Sequence, residues 1–152
     1  MNIPTPEKTP ERPSAILVCV TDQLSCRRLI LAGEAIARSY PEPIPVKVVS
    51  VLPPRLVSSA TAEALQTLYD ISSNIGVEMT VYFNHEAALT VAVHARKINA
   101  VHLVSGVPGV ASSPFIETIR ELLPEVPFSM VDTAEQLITF PAQAKVTVEN
   151  TV

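Results

Sequence analysis

The chain has 152 residues, 47% of them apolar and 17% charged, with a net charge of −4. That length and apolar share suit one globular domain with a sizeable core. The lack of a basic cluster and of any apolar run near the ~18 residues that span a bilayer argues against nucleic acid or a membrane as partner.

Residues 1–13 hold four prolines among charged and polar residues and read as a disordered arm. They carry no signal-peptide core, so a cytoplasmic location is expected. An α/β domain is expected over 14–132. AILVCV (15–20) is a continuous β-branched run, the pattern of a strand buried on both faces. In SCRRLILAGEAIARSY, Cys26, Leu29, Ile30, Gly33, Ile36, Ala37 and Tyr40 recur at helical spacing, with Arg27, Arg28, Glu34 and Arg38 on the other side. A proline cluster at 41, 43 and 45 stops that helix.

VKVVSVL (46–52) predicts a second strand, ended by Pro53 and Pro54. Leu65, Leu68, Ile71 and Ile75 mark a second helix, and Gly76 falls where a left-handed cap belongs. VEMTVYF (77–83) is the third strand. A third helix follows, with Ala88, Val91, Ala92 and Ala95 inward and Thr90, His94 and Lys97 on its wet face. AVHLVS (100–105) is the fourth strand. Pro114 suits the first position of a fourth helix, with Ser113 as its N-cap, and VPFSMV (126–131) is the fifth strand.

Strands alternating with helices require crossover connections and therefore a parallel sheet. The expected architecture is a doubly wound, five-stranded parallel sheet in the order 3-2-1-4-5, a three-layer sandwich with its fifth strand at an edge. Ligands of such folds lie beyond the carboxyl ends of the strands. Residues 133–152 form a β-prone extension, in which LITF and KVTV either hairpin onto that edge or reach a second subunit. A homodimer through the fifth strand and this tail is expected.

Cys19 and Cys26 lie seven residues apart, without a CxxC, and read as two buried thiols rather than metal or redox ligands. The three histidines have no ligand spacing. His102 interrupts a buried strand and reads as a satisfied core imidazole. His85 stands at the carboxyl edge beside Asn84, where a loop or capping role is expected.

Half of the four glycines fall in LVSGVPGVASSP (103–114). With ILVCVTD and VVSVLPP, this strand-to-loop stretch resembles the universal stress protein family over about Ala15–Asp132. The resemblance implies a five-stranded parallel sheet, dimerisation, and, in the nucleotide-binding branch, an acidic residue after the first strand and the signature G-x2-G-x9-G-[ST]. Gly106 and Gly109 fit its first half, whereas Ile119 and Arg120 stand where Gly and Ser or Thr belong. Carried over, the nucleotide-binding positions are Thr21 and Asp22 after the first strand, Val51 offering backbone to an adenine edge, Gly106 and Gly109, and Ser112 and Ser113. Backbone N–H groups around the glycines can form an anion nest, backed by a helix N-terminus. Pro108 and Pro114 each remove a donor, and no Lys or Arg lies between Ser105 and Glu117.

Catalytic templates are missing: no G-x-S-x-G elbow, no GxxxxGK[ST] loop and no SGGxDS pattern occur. With no nucleophile and general base placed together, a binding module is expected rather than an enzyme, with no metal and no obligatory cofactor. Two readings stand: a nucleotide-sensing module that takes ATP or AMP through an eroded signature, and a ligand-free homodimeric interaction protein that keeps the fold.

Overall fold

The computed structural model describes residues 13–20, 23–52, 54, 59–106, 114–132, 134 and 136–143. Residues 1–12 of the expected N-terminal arm and the KVTV segment lie outside the described residues. Chain order runs β1 (Ala15–Cys19), α1 (Gln23–Arg38), β2 (Val46–Leu52), α2 (Ser59–Ile75), β3 (Glu78–Phe83), α3 (Ala87–Lys97), β4 (Ala100–Gly106), α4 (Pro114–Leu122), β5 (Phe128–Val131) and β6 (Leu137–Phe140). The sheet has the order β3-β2-β1-β4-β5-β6; the first five strands pair in parallel as expected, and β6 is added antiparallel to β5.

Every residue of β1 is buried, as its unbroken apolar run requires of a strand covered on both faces. Ile16, Val18 and Val20 pack with Leu29, Ile30 and Ile36 of α1 and Leu68 of α2. Leu17 and Cys19 face the opposite layer, with Val91 and Ala95 of α3 and Ile119 of α4. The three-layer sandwich follows from this alternation.

Two glycines are demanded by the fold. A Cβ at Gly33 would lie 2.7 Å from Val18 Cγ2, so only glycine lets α1 approach β1 this closely. Gly76 has φ +87° and ends α2, its N–H donating to the Ser72 carbonyl at 2.9 Å while Val77 N–H donates to the same oxygen at 2.9 Å. Pro114 opens α4. The far end of α4 is closed from α3: Arg96 Nη2 donates to the Leu122 carbonyl at 2.7 Å, and Nη1 pairs with Glu125 at 3.1 Å.

The structure corrects one placement. β5 is not an edge strand, because LITF of the C-terminal extension folds back as β6 in the register Phe128↔Phe140 to Val131↔Leu137. Asp132 makes the reversal: its Oδ1 accepts the N–H groups of Ala134 at 2.9 Å and Gln136 at 2.8 Å. The outer edge of the sheet therefore belongs to β6, where Leu137 and Ile138 are 49% and 45% exposed. Phe128, 1% exposed, is a core residue, so a charge there would unfold the domain rather than disturb a subunit contact.

Cys19 is 6% exposed in the centre of the sheet, and burial pushes its thiol pKa up to about 12. In a Cys26→Ala background, Cys19 is expected to stay unreactive toward thiol reagents at pH 8 until the protein unfolds. Cys19→Asn should lower stability by about 1–3 kcal/mol or more, read from denaturant titration, because it buries an unpaired amide.

Candidate functional site

The carboxyl ends of β1, β2 and β4 form the crevice in which a doubly wound sheet takes its ligands. α1 and α2 leave from one face and α3 and α4 from the other, so the order reverses between β1 and β4. Of the expected site residues, the structure places Val51 and Gly106 on this edge. Val51 is buried near the end of β2 and pairs in register with Tyr82. Gly106 is the last residue of β4, in register with Val131. Thr21, Asp22, Gly109, Ser112 and Ser113 lie outside the described residues, as does the side chain of Cys26.

Gly106 differs from Gly33 and Gly76. Its φ is not positive, and among the described residues a Cβ built there would meet only Leu29 Cδ atoms at 3.9 and 4.0 Å, ordinary contact. Neither its backbone conformation nor its packing against the described residues requires a glycine here. Beside it, Ser105 is buried, with its hydroxyl donating to the Gly106 carbonyl at 3.0 Å. Across the edge, Asn84 N–H donates to the Leu52 carbonyl at 2.9 Å, and Asn84 Oδ1 accepts the Glu86 N–H at 2.8 Å. His85 is exposed in this turn.

The two positions where the resemblance would place the second half of the signature, Ile119 and Arg120, carry structural side chains. Ile119, 1% exposed, fills the core between α4 and the sheet. The Arg120 guanidinium lies over the Phe140 ring, 4.4 Å from its centre, and so fixes β6 against α4. Restoring the signature would therefore remove packing. Ile119→Gly is expected to cost about 3–5 kcal/mol by denaturant titration, through a cavity and a helix-interior glycine.

The histidines divide differently from expectation. His94 is not on the wet face of α3: it is buried one turn beyond Val91, and its Nδ1 lies 2.8 Å from the Tyr82 hydroxyl. Burial is the main cause of its lowered pKa, with Lys97 next; Glu78 opposes the shift and Lys47 adds to it. His102 is the satisfied core imidazole expected from its place in a buried strand. Its Nε2 lies 2.7 Å from Ser129 Oγ, and its Nδ1 lies 3.4 Å from the Tyr40 hydroxyl. The His102–Ser129 spacing is that of a base and a nucleophile. Ser129, however, is 0% exposed and also bonded to Thr139 Oγ1 at 2.9 Å, so no substrate carbon can reach its oxygen.

Burial lowers the pKa of both His94 and His102 from the ordinary 6.5. The unfolded chain then binds protons at a pH where the folded imidazoles stay neutral, so their contribution to stability is complete above about 6.5 and falls as the pH drops below it. Melting temperature should decline from pH 7 to pH 5, and His94→Gln with His102→Gln should flatten that decline.

No family model matches the chain, and no curated protein matches it. Among solved structures, a universal stress protein from Archaeoglobus fulgidus aligns with a TM-score of 0.53 at 20% identity, over 78% of this chain and 97% of that one. The universal stress protein from Archaeoglobus fulgidus in complex with dAMP aligns with a TM-score of 0.54 at 21% identity, over 80% of this chain and 98% of that one. In both alignments nearly the whole of the other chain is used. The chain has the universal stress protein fold.

Proposed function

We propose that the protein is a non-catalytic module that binds an adenine nucleotide, AMP or ATP, at the carboxyl edge of its sheet and acts as a homodimer. The observation that carries this reading is Gly106, a glycine that neither its dihedral angles nor its packing among the described residues explains, placed where β4 meets the crevice. A bare backbone at that point lets a phosphate or ribose approach the N–H groups directly, the use to which glycine is put in nucleotide loops. A similar fold solved with dAMP is consistent with an adenine nucleotide in this crevice. Val51, at the end of β2, is the residue whose backbone would meet the base. Ser112, Ser113, Gly109, Thr21 and Asp22 complete the proposed set.

The replacement of Gly and Ser or Thr by Ile119 and Arg120 favours the second reading, an interaction protein that retains the fold without ligand. Calorimetry separates the two. AMP or ATP should bind the purified chain, and Gly106→Ala should weaken that binding at least about tenfold, or 1.4 kcal/mol. Its melting temperature should not fall, since the added methyl has room. No uptake of either nucleotide by the native protein would leave the interaction reading in its place.

Dimerisation is proposed to use β6, whose outer backbone edge is unpaired among the described residues and whose Leu137 and Ile138 are half exposed. Antiparallel pairing with the same strand of a second copy would cover that edge across a two-fold axis, so one substitution acts twice. Light scattering should give a dimer for the native chain and a monomer for Ile138→Lys, with the far-ultraviolet circular dichroism unchanged.

A further inference from the structure

The described arginines differ in how their charge is met. Arg96 pairs with Glu125 and donates to the Leu122 carbonyl, Arg120 lies over the Phe140 ring, and Arg27 and Arg38 stand exposed to water. Arg28 is different. Its side chain is partly buried, its Nε is closed off from solvent without a hydrogen-bond partner, and it has no ion pair among the described residues. A charged N–H buried in this way is costly until an acceptor reaches it.

The helix determines where that unpaired group lies. α1 follows the carboxyl end of β1, so its first turns are the ones nearest the crevice. Arg28 stands about 8 Å along the helix from Gln23, and helical side chains lean back toward the N-terminus, which directs this one toward the mouth. The residues below it fix its flank. Ala32 and Ala35, one and two turns further on, face Val131 and Leu137 across a groove between α1 and β6. Arg28 therefore stands on the flank of α1 turned toward β4 and β5, beyond the crevice end of that groove. Its neighbour Leu29 holds Cδ1 3.9 Å from the point that a Cβ on Gly106 would occupy. The unpaired guanidinium and the bare backbone of Gly106 thus border the same end of the crevice, one from the helix and one from β4. The glycine loop brings no cation of its own, since no Lys or Arg lies between Ser105 and Glu117 and Arg120 is engaged with Phe140.

We propose that Arg28 is a phosphate-binding residue of the crevice. Its Nε–H and one Nη–H donate to two oxygens of the same phosphate, and α1 thereby supplies the positive charge that the glycine loop lacks. Because the side chain is only partly buried, the guanidinium turns its Nε edge outward when an anion arrives, and the ligand provides the acceptor that the free chain does not. The inference rests on the nucleotide reading above and adds to it a preference: the crevice selects a phosphorylated nucleoside over the nucleoside itself, and Arg28 is the residue that makes the selection.

The probes are AMP and adenosine, titrated into the full chain by calorimetry. The native protein should bind AMP at least about tenfold more tightly than adenosine, a margin of 1.4 kcal/mol. Arg28→Gln should bring AMP down to the level of adenosine while adenosine keeps its native affinity. Without ligand, the melting temperature of that variant should hold or rise, because the unpaired buried N–H is gone; an arginine with a purely structural role would lower it on removal. Arg28→Met keeps the apolar stem without any N–H and should repeat the result, and it decides alone if Arg28→Gln does not fold. Three results would overturn the inference and leave the nucleotide reading standing: AMP held by the variants as tightly as by the native protein, adenosine weakened as much as AMP, or the two probes bound alike by the native protein. An absence of AMP and adenosine binding to the native chain would overturn both.

Discussion

The double burial of β1 is the constraint from which the rest of this fold descends. Its five residues are all buried, so apolar cover is needed on both faces of the sheet. The chain meets that need with α1 and α2 on one side and α3 and α4 on the other. Placing two helices on each face forces the winding direction to reverse beside β1. The reversal opens a crevice at the carboxyl ends of β1 and β4. The close approach of Gly33 to Val18 is the tightest point of that arrangement, because it sets how near α1 lies to the sheet.

The same distribution of helices explains what is left uncovered. Four helices are enough for a five-stranded parallel core, but on the α1 side they stop short of β5 and β6. On the other side α4 carries Arg120 out over Phe140, so among the described residues β6 is covered by a helix on one face only. The two faces of β6 consequently differ in character, one packed against a helix and one bordering a groove. α4 serves both sides of this arrangement, with Ile119 in the core and Arg120 over the ring of the added strand.

Much of this could be read in the sequence, for identifiable reasons. Strands buried on both faces are apolar without interruption, so AILVCV and VKVVSVL declared themselves, and Gly76 and Pro114 have backbone properties that suit few other places. His102 was legible because a histidine inside an apolar strand needs a partner. His94 was not, although it stands at a core spacing from Val91. A lone imidazole on a helix gives no sign of its environment until a partner such as Tyr82 is placed on another element. The position of LITF was open for a similar reason: β-propensity identifies a strand but not its neighbour. Its docking on β5 depends on Asp132 closing the turn, a local contact, and on Phe140 meeting Arg120, a contact between separate elements. At the site, the glycine pair was visible by scarcity, while the ordinary contact that a side chain at Gly106 would make emerged only once Leu29 was in position.

The reversal at Asp132 also decides where the chain is handed on. β6 runs against the five parallel strands, and Gln143 N–H donates to the Pro124 carbonyl at 2.7 Å, in the connection that precedes β5. Ser14, just ahead of β1, receives a hydrogen bond from Asn99 in the connection that precedes β4. Both ends of the folded unit thus emerge on the amino-terminal side of the sheet, opposite the crevice. A continuation of the chain at either end therefore starts from the base of the sheet and not from beside the crevice. Without β6 the chain would exit beside the crevice, and its continuation would compete for the space that a ligand enters.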